Sequence, residues 1–210
     1  AGADARGIAA TYRAAGAAGI SLVTEPAFFP GRPDDLPEVR GEGLPVLMKD
    51  FLVDPWQVAW GRSLGADAVL LIAALGDRLL LEELRAAARV FGLETLVEIH
   101  DRSELDLAIR LETEMIGVNH RDLKSFEVDL DRGEELLLEM PPDRVRLAES
   151  GIRERADVLR LERAGFDALL VGESLMRAPD PGAALRELRG AERGDGPEAG
   201  AVGAAEGTRP

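Results

Sequence analysis

Four polar residues, Lys49, Glu98, Asn119 and Glu149, each close a short apolar run of the sequence. An ammonium, two carboxylates and an amide gathered over an apolar floor would make an acid–base site, because burial and mixed charge move pKa values toward neutrality. Lys49 stands out by its type. It and Lys124 are the only lysines in a chain that otherwise takes its positive charge from arginine. Arginine stays protonated, whereas a desolvated lysine can serve as acid, base or nucleophile. Each residue taken alone also fits a structural role: Lys49 snorkelling to water, Glu98 pairing with it, Asn119 capping a loop, Glu149 accepting backbone N–H groups. The functional reading rests on all four falling at the same end of one fold.

Two glycine turns supply a second feature, Glu149-Ser150-Gly151-Ile152 and Val171-Gly172-Glu173-Ser174. Backbone N–H groups there, with the start of a short extra helix, could hold a phosphate. Arg121 could add a charge-assisted bond, although glycines also serve simply to permit tight turns. His100 and His120 follow strand ends but are left out of the expected site. His120 adjoins Asn119, so both cannot point the same way, and His100 falls in a loop. No spacing of His, Asp and Glu suggests a metal.

The elements needed to position these residues alternate. Helical periodicity is expected over residues 4–18, 34–40, 56–64, 77–91, 101–111, 131–139, 155–164 and 181–189, with a short turn at 174–176. Between them lie β-rich or apolar runs at 20–24, 45–49, 66–72, 93–100, 115–119, 145–149 and 168–171. Seven strands alternating with helices mean parallel βαβ units. Polar or glycine residues at nearly every strand tip favour a (β/α)₈ barrel over an open doubly wound sheet, since barrels build their sites from strand ends. Residues 1–190 are expected to form one domain and residues 191–210, glycine, alanine and charge without periodicity, a disordered tail.

Composition narrows the function classes. With 210 residues, 46% hydrophobic, one sizeable core is expected; a net charge of −14 argues against non-specific nucleic-acid binding. No cysteine removes disulfides, thiolate metal sites and cysteine nucleophiles, and suits a reducing cytoplasm. No apolar run is long enough to span a bilayer.

The ordered strings PVLMKDF at 45–51, GADAVLLIAAL at 65–75, LVEIH at 96–100, IGVNHRDL at 116–123, AESGI at 148–152 and LLVGESLMRAPDP at 169–181 resemble indole-3-glycerol phosphate synthase, with ISLVTEPAFFPG at 20–31 before them. The resemblance implies a carboxy-lyase of tryptophan biosynthesis. Its reaction converts 1-(2-carboxyphenylamino)-1-deoxyribulose 5-phosphate to indole-3-glycerol phosphate with loss of carbon dioxide and water, and without a cofactor. Lys49 would be the general acid, Glu98 would support proton transfer, Asn119 and Glu149 would orient the substrate, and Ser150 would lie close to it. Arg121, Gly151, Gly172, the Glu173 backbone and Ser174 would hold the phosphate, while Phe51, Leu71 and Leu123 would wall the anthranilate ring. The partner is then a small phosphorylated substrate, without nucleic acid or membrane, in a monomer or in a fusion or association with other tryptophan-pathway enzymes.

The family pattern also has an earlier strand bearing a glutamate and a second lysine, followed by a Ser-Pro-Ser turn. This sequence starts beyond that pattern, so the polypeptide alone is expected to be poorly folded or nearly inactive. Phosphoribosylanthranilate isomerase, a rival barrel, uses a catalytic cysteine that is absent here. A domain that only binds a phosphorylated ligand or partner is the alternative outside enzymes.

Overall fold

The computed structural model describes residues 4–75, 77–122 and 125–191. Helix α1 (Ala5–Ala14) starts where the Asp4 carboxylate accepts the Gly7 N–H, and it leads to β1 (Ile20–Val23). It stops short of the expected residue 18 because Gly16 turns into the left-handed region, at φ 85°. After a 3₁₀ turn at Pro33–Asp35 come α2 (Leu36–Arg40), β2 (Val46–Lys49) and α3 (Pro55–Leu64). The middle of the chain adds β3 (Ala68–Ile72), α4 (Arg78–Phe91), β4 (Glu94–Ile99), α5 (Arg102–Arg110) and β5 (Met115–Asn119). The last part holds α6 (Asp131–Leu137), β6 (Val145–Glu149), α7 (Arg155–Ala164), β7 (Ala168–Leu170), α8 (Glu173–Arg177) and α9 (Pro181–Arg189). The tail expected at 191–210 lies outside the described residues beyond Ala191.

The seven strands pair in chain order, every pair parallel. This is the strand arrangement of a (β/α)₈ barrel, with β1 and β7 as the edges of the described sheet. Across that seam the helical layer is continuous: α1 packs on α9, and the Arg189 guanidinium donates to the Ala15 carbonyl at 3.0 Å.

Alternation divides the sheet into two faces. The outward face meets the helices in a large core that includes Met48, Val69, Leu71, Val97, Ile116, Val118 and Ala148. The inward face forms a smaller cluster of Leu70, Ile72, Leu96 and Leu147, with Leu47, Met115, Ala168 and Leu170 against it. Register decides which face each residue takes, since a slip of one position would turn the polar tips outward.

A repeated device at the bottom of the sheet fixes that register. Asp67, just before β3, accepts the Val46 N–H at the start of β2 at 2.9 Å. Glu114, before β5, accepts the Thr95 N–H of β4 at 3.0 Å, and Asp167, before β7, accepts the Arg146 N–H of β6 at 3.0 Å. In alternate strand pairs, β2/β3, β4/β5 and β6/β7, an acidic residue therefore ties one strand to the beginning of its neighbour. Arginines hold the same carboxylates: Arg40 on Asp67, Arg85 on Glu114 and Arg146 on Asp167.

The inward cluster is small, so each member carries weight. Leu70, 1% exposed, has no room to relax around a cavity. Replacing it by alanine should cost about 2–5 kcal/mol, read as a lower urea midpoint with an unchanged slope.

Candidate active site

Lys49 ends β2, Glu98 is the penultimate residue of β4, and Asn119 and Glu149 end β5 and β6. The register places Glu98 opposite Gly117 and Asn119 opposite Glu149, so these tips converge at one end of the sheet. The Lys49 ammonium donates to Glu98 Oε2 at 3.0 Å and to Glu149 Oε2 at 3.4 Å. Asn119 Nδ2 donates to Glu98 Oε1 at 3.1 Å, while Asn119 Oδ1 accepts the Arg121 N–H at 3.0 Å. Both carboxylates are sealed, their side chains 4% and 2% exposed, whereas that of Lys49 is 28% exposed. The amine is thus the member of the cluster that a small molecule can reach.

A chain that buries two carboxylates beside one ammonium cannot keep all three charged without cost. Burial pushes the Glu149 carboxyl up to about 7, Lys49 pulling it down and Glu98 pushing it further up. Burial also opposes the charge on Glu98, but Lys49, Asn119 and His100 together hold that carboxyl below its ordinary range. Lys49 is held above its ordinary range, because Glu149 and Glu98 outweigh the desolvation that would lower it. The arrangement near neutrality is an ammonium, one ionised carboxylate and one carboxyl poised to gain or lose a proton. Gly117 makes room for it: a Cβ there would meet Glu149 Oε1 and, at 3.1 Å, the Leu96 side chain.

The two glycine turns are joined by Ser174, whose hydroxyl donates to the Ile152 carbonyl at 2.9 Å. Ser150 and Gly151 are consecutive left-handed residues, at φ 67° and 80°. For Ser150 this is a strained conformation next to Glu149, and nothing in its residue type announced it. Gly172 precedes α8 and leaves open space where a side chain would stand. The Arg121 guanidinium lies 2.8 Å from Glu173 Oε2, and Arg177 lies 2.9 Å from the other oxygen of that carboxylate. Sequence reasoning took Glu173 as a backbone contact and missed this bridge. At such exposure the pair contributes about 0–1 kcal/mol, little hindrance to an anion that takes Arg121 instead.

The apolar wall needs correction. Leu71 does not line the mouth; it lies in the core between sheet and helices, because its neighbours Leu70 and Ile72 take the inward positions. Ile72, opposite Glu98, is the residue of that strand nearest the polar tips. Leu123 lies outside the described residues. Phe51, two residues past the end of β2, stands in an aromatic group that the sequence reading did not assemble. Phe28 and Phe29 each stand 6.3 Å from it by ring centroid. The loop carrying them is shaped by Glu25, whose carboxylate accepts the N–H groups of Ala27, Phe28 and Phe29 at 2.7, 2.7 and 3.2 Å.

The histidines divide. His120 is fully buried, its Nδ1 2.9 Å from the Glu149 carbonyl and its ring edge-on to Phe166, a structural position as its parity implied. His100 is different: it follows Glu98 by two, shares its side of the strand and brings Nε2 to 3.7 Å from Glu98 Oε1. Treating it as a loop residue obscured that parity.

A family model described as indole-3-glycerol phosphate synthase matches residues 1–188. The chain belongs to the indole-3-glycerol phosphate synthase family. Relatives bearing that name include one from Albidiferax ferrireducens, 50% identical over 182 residues, covering 86% of this chain and 69% of the relative. Another, from an Acidovorax species, is 49% identical over 174 residues, covering 82% of this chain and 65% of the relative. The chain thus spans about two thirds of the length of the relatives it matches. Among solved structures, 3-hexulose-6-phosphate synthase superposes with a TM-score of 0.73 at 18% identity, over 89% of this chain and 92% of that one. Thiamine phosphate pyrophosphorylase from Pyrococcus furiosus does so at 0.67 and 16%, over 90% and 88%. These likenesses concern the fold.

The raised Glu149 carboxyl carries a stability consequence. The folded state keeps a proton there that the unfolded chain releases near 4.5, so stability falls as pH rises from 4.5 to about 7. Glu149→Gln removes that titration. Its melting temperature should gain on the parent progressively across that window, and a constant difference would contradict the assignment.

Proposed function

We propose that the Lys49 cluster is the catalytic centre of indole-3-glycerol phosphate synthesis, acting on 1-(2-carboxyphenylamino)-1-deoxyribulose 5-phosphate within a catalytic domain of residues 1–190. The observation that carries the proposal is a partly exposed ammonium in contact with two buried carboxylates, 3.0 and 3.4 Å away. Ring closure needs a proton delivered to the substrate carbonyl oxygen as the aromatic carbon attacks it. Lys49 is the reachable cation, and its proton passes to that oxygen. Glu98, ionised and fixed by Lys49 and Asn119, stabilises the cationic intermediate and accepts the proton lost in dehydration. Glu149, with its carboxyl at about 7, can return a proton to the departing hydroxyl as well as orient the substrate.

The phosphate lies in this reading at the Gly151 and Gly172 turns, where the backbone N–H groups of Glu173 and Ser174 face it and Arg121 exchanges the Glu173 carboxylate for it. Ser150 stands between the two ends of the substrate. Phe51 packs on the anthranilate ring together with Phe29, and Ile72 takes the place expected for Leu71. The bonds made and broken involve no net electron transfer, so proton-moving side chains can serve every step without a cofactor. The setting is cytoplasmic. No helix among the described residues is long and apolar enough to cross a membrane.

Lys49→Met in the full-length protein should lower kcat by about 10²- to 10⁴-fold, followed by fluorescence of the indole product, with a smaller change in KM. Turnover equal to that of the parent would exclude Lys49 as the acid.

A further inference from the structure

We propose that His100, held by Glu104, is a positioning residue for this reaction: a buried imidazolium that orients Glu98 and keeps it ionised. The inference rests on the functional reading above and extends it to a residue that reading does not use.

The geometry starts on the strand. Two residues apart, Glu98 and His100 project to the same side of β4, and the His100 side chain is 11% exposed. Its backbone N–H donates to Glu104 Oε2 at 2.6 Å, and its ring Nδ1 lies 3.2 Å from the same oxygen. An ionised carboxylate can only accept, so Nδ1 carries a hydrogen and the nitrogen that titrates is Nε2. Buried Nε2 has no hydrogen-bond partner. Glu98 Oε1 is 3.7 Å away, too far for a hydrogen bond in this arrangement yet close enough for charge to act. A neutral ring would aim a lone pair at a carboxylate oxygen in a dry site, whereas a protonated one aims an N–H there.

The count of charges points the same way. Glu98, Glu149 and Glu104 face the ring from β4, β6 and α5, Asp101 lies next to it in the chain, and Lys49 on β2 is the cation they would otherwise share. Burial lowers the His100 pKa, but Glu104, Glu98 and Glu149 outweigh it and hold the ring above its ordinary value. In the proposed reaction Lys49 is neutral from the moment its proton passes to the substrate until it regains one. During that interval His100 is the cation left beside Glu98.

The test uses His100→Gln and Glu104→Gln in the full-length protein, with kcat and KM measured between about pH 5 and pH 9. Losing a positive charge 3.7 Å from Glu98 should lower kcat by about 10- to 100-fold at neutral pH with KM nearly unchanged. The fall in parental kcat as His100 deprotonates should disappear in His100→Gln and move to lower pH in Glu104→Gln. His100→Lys, which restores a positive charge, should recover part of the rate. A purely structural histidine would alter melting temperature without moving that limb, so an unmoved limb overturns the proposal. If the parent makes no product, it is the functional reading that has failed. Nitrogen-15 imidazole spectra then decide the His100 proposal alone: Nε2 should stay protonated above about pH 6.5, and to a lower pH in Glu98→Gln. Unchanged titration in Glu98→Gln would overturn it.

Discussion

One ammonium between two buried carboxylates leaves a charge unsatisfied, and the architecture is organised around that imbalance. Lys49 touches both Glu98 and Glu149, but the contact to Glu98 is shorter, and Asn119 adds a second donor to Glu98 alone. Glu149 has one oxygen without a partner, pressed toward the Cα of Gly117. The environments of the two acids therefore push their protonation apart, which is how one site can present an acid and a base at the same pH. Replacing the trio by apolar side chains would remove a desolvation penalty, so its presence is better explained by chemistry than by stability.

That cluster exists because parallel register brings separate strands to a common end. The acidic residues before β3, β5 and β7 tie neighbouring strands at the opposite end of the sheet, setting the faces on which Lys49, Glu98, Asn119 and Glu149 emerge. The inward apolar cluster beneath them excludes water from the floor and strengthens every electrostatic contact above it. The Phe51 aromatics follow β2 and the two glycine turns follow β6 and β7, so both emerge at the same end of the sheet as the polar tips.

Much of this was legible in the sequence because the strands are short and closed by polar residues, so a period of two placed Lys49, Glu98, Asn119 and Glu149 on one face. Where a strand is apolar throughout, as in Ala68–Ile72, periodicity carries no phase, so nothing in the pattern opposed the resemblance that placed Leu71 on the face belonging to Leu70 and Ile72. His100 was misplaced for the opposite reason: it lies one residue beyond β4, and the alternation that governs Glu98 continues past the end of the strand. The bridge from Arg121 to Glu173 and the left-handed Ser150 depend on tertiary contact and backbone strain that no single residue type records. The Phe28 and Phe29 loop had its signal in Glu25-Pro26, but which N–H groups the carboxylate would take was a matter of three-dimensional geometry.

The most direct measurement is a carboxyl carbon-13 titration of glutamate-labelled protein, with Glu98 and Glu149 assigned by single substitution to glutamine. The account requires the Glu149 signal to remain that of an acid until about pH 7 while Glu98 shows the shift of a carboxylate well below 4.5. Both signals titrating together in the ordinary range of free glutamate, roughly 4.3, would mean that no poised acid and base exist in this pocket.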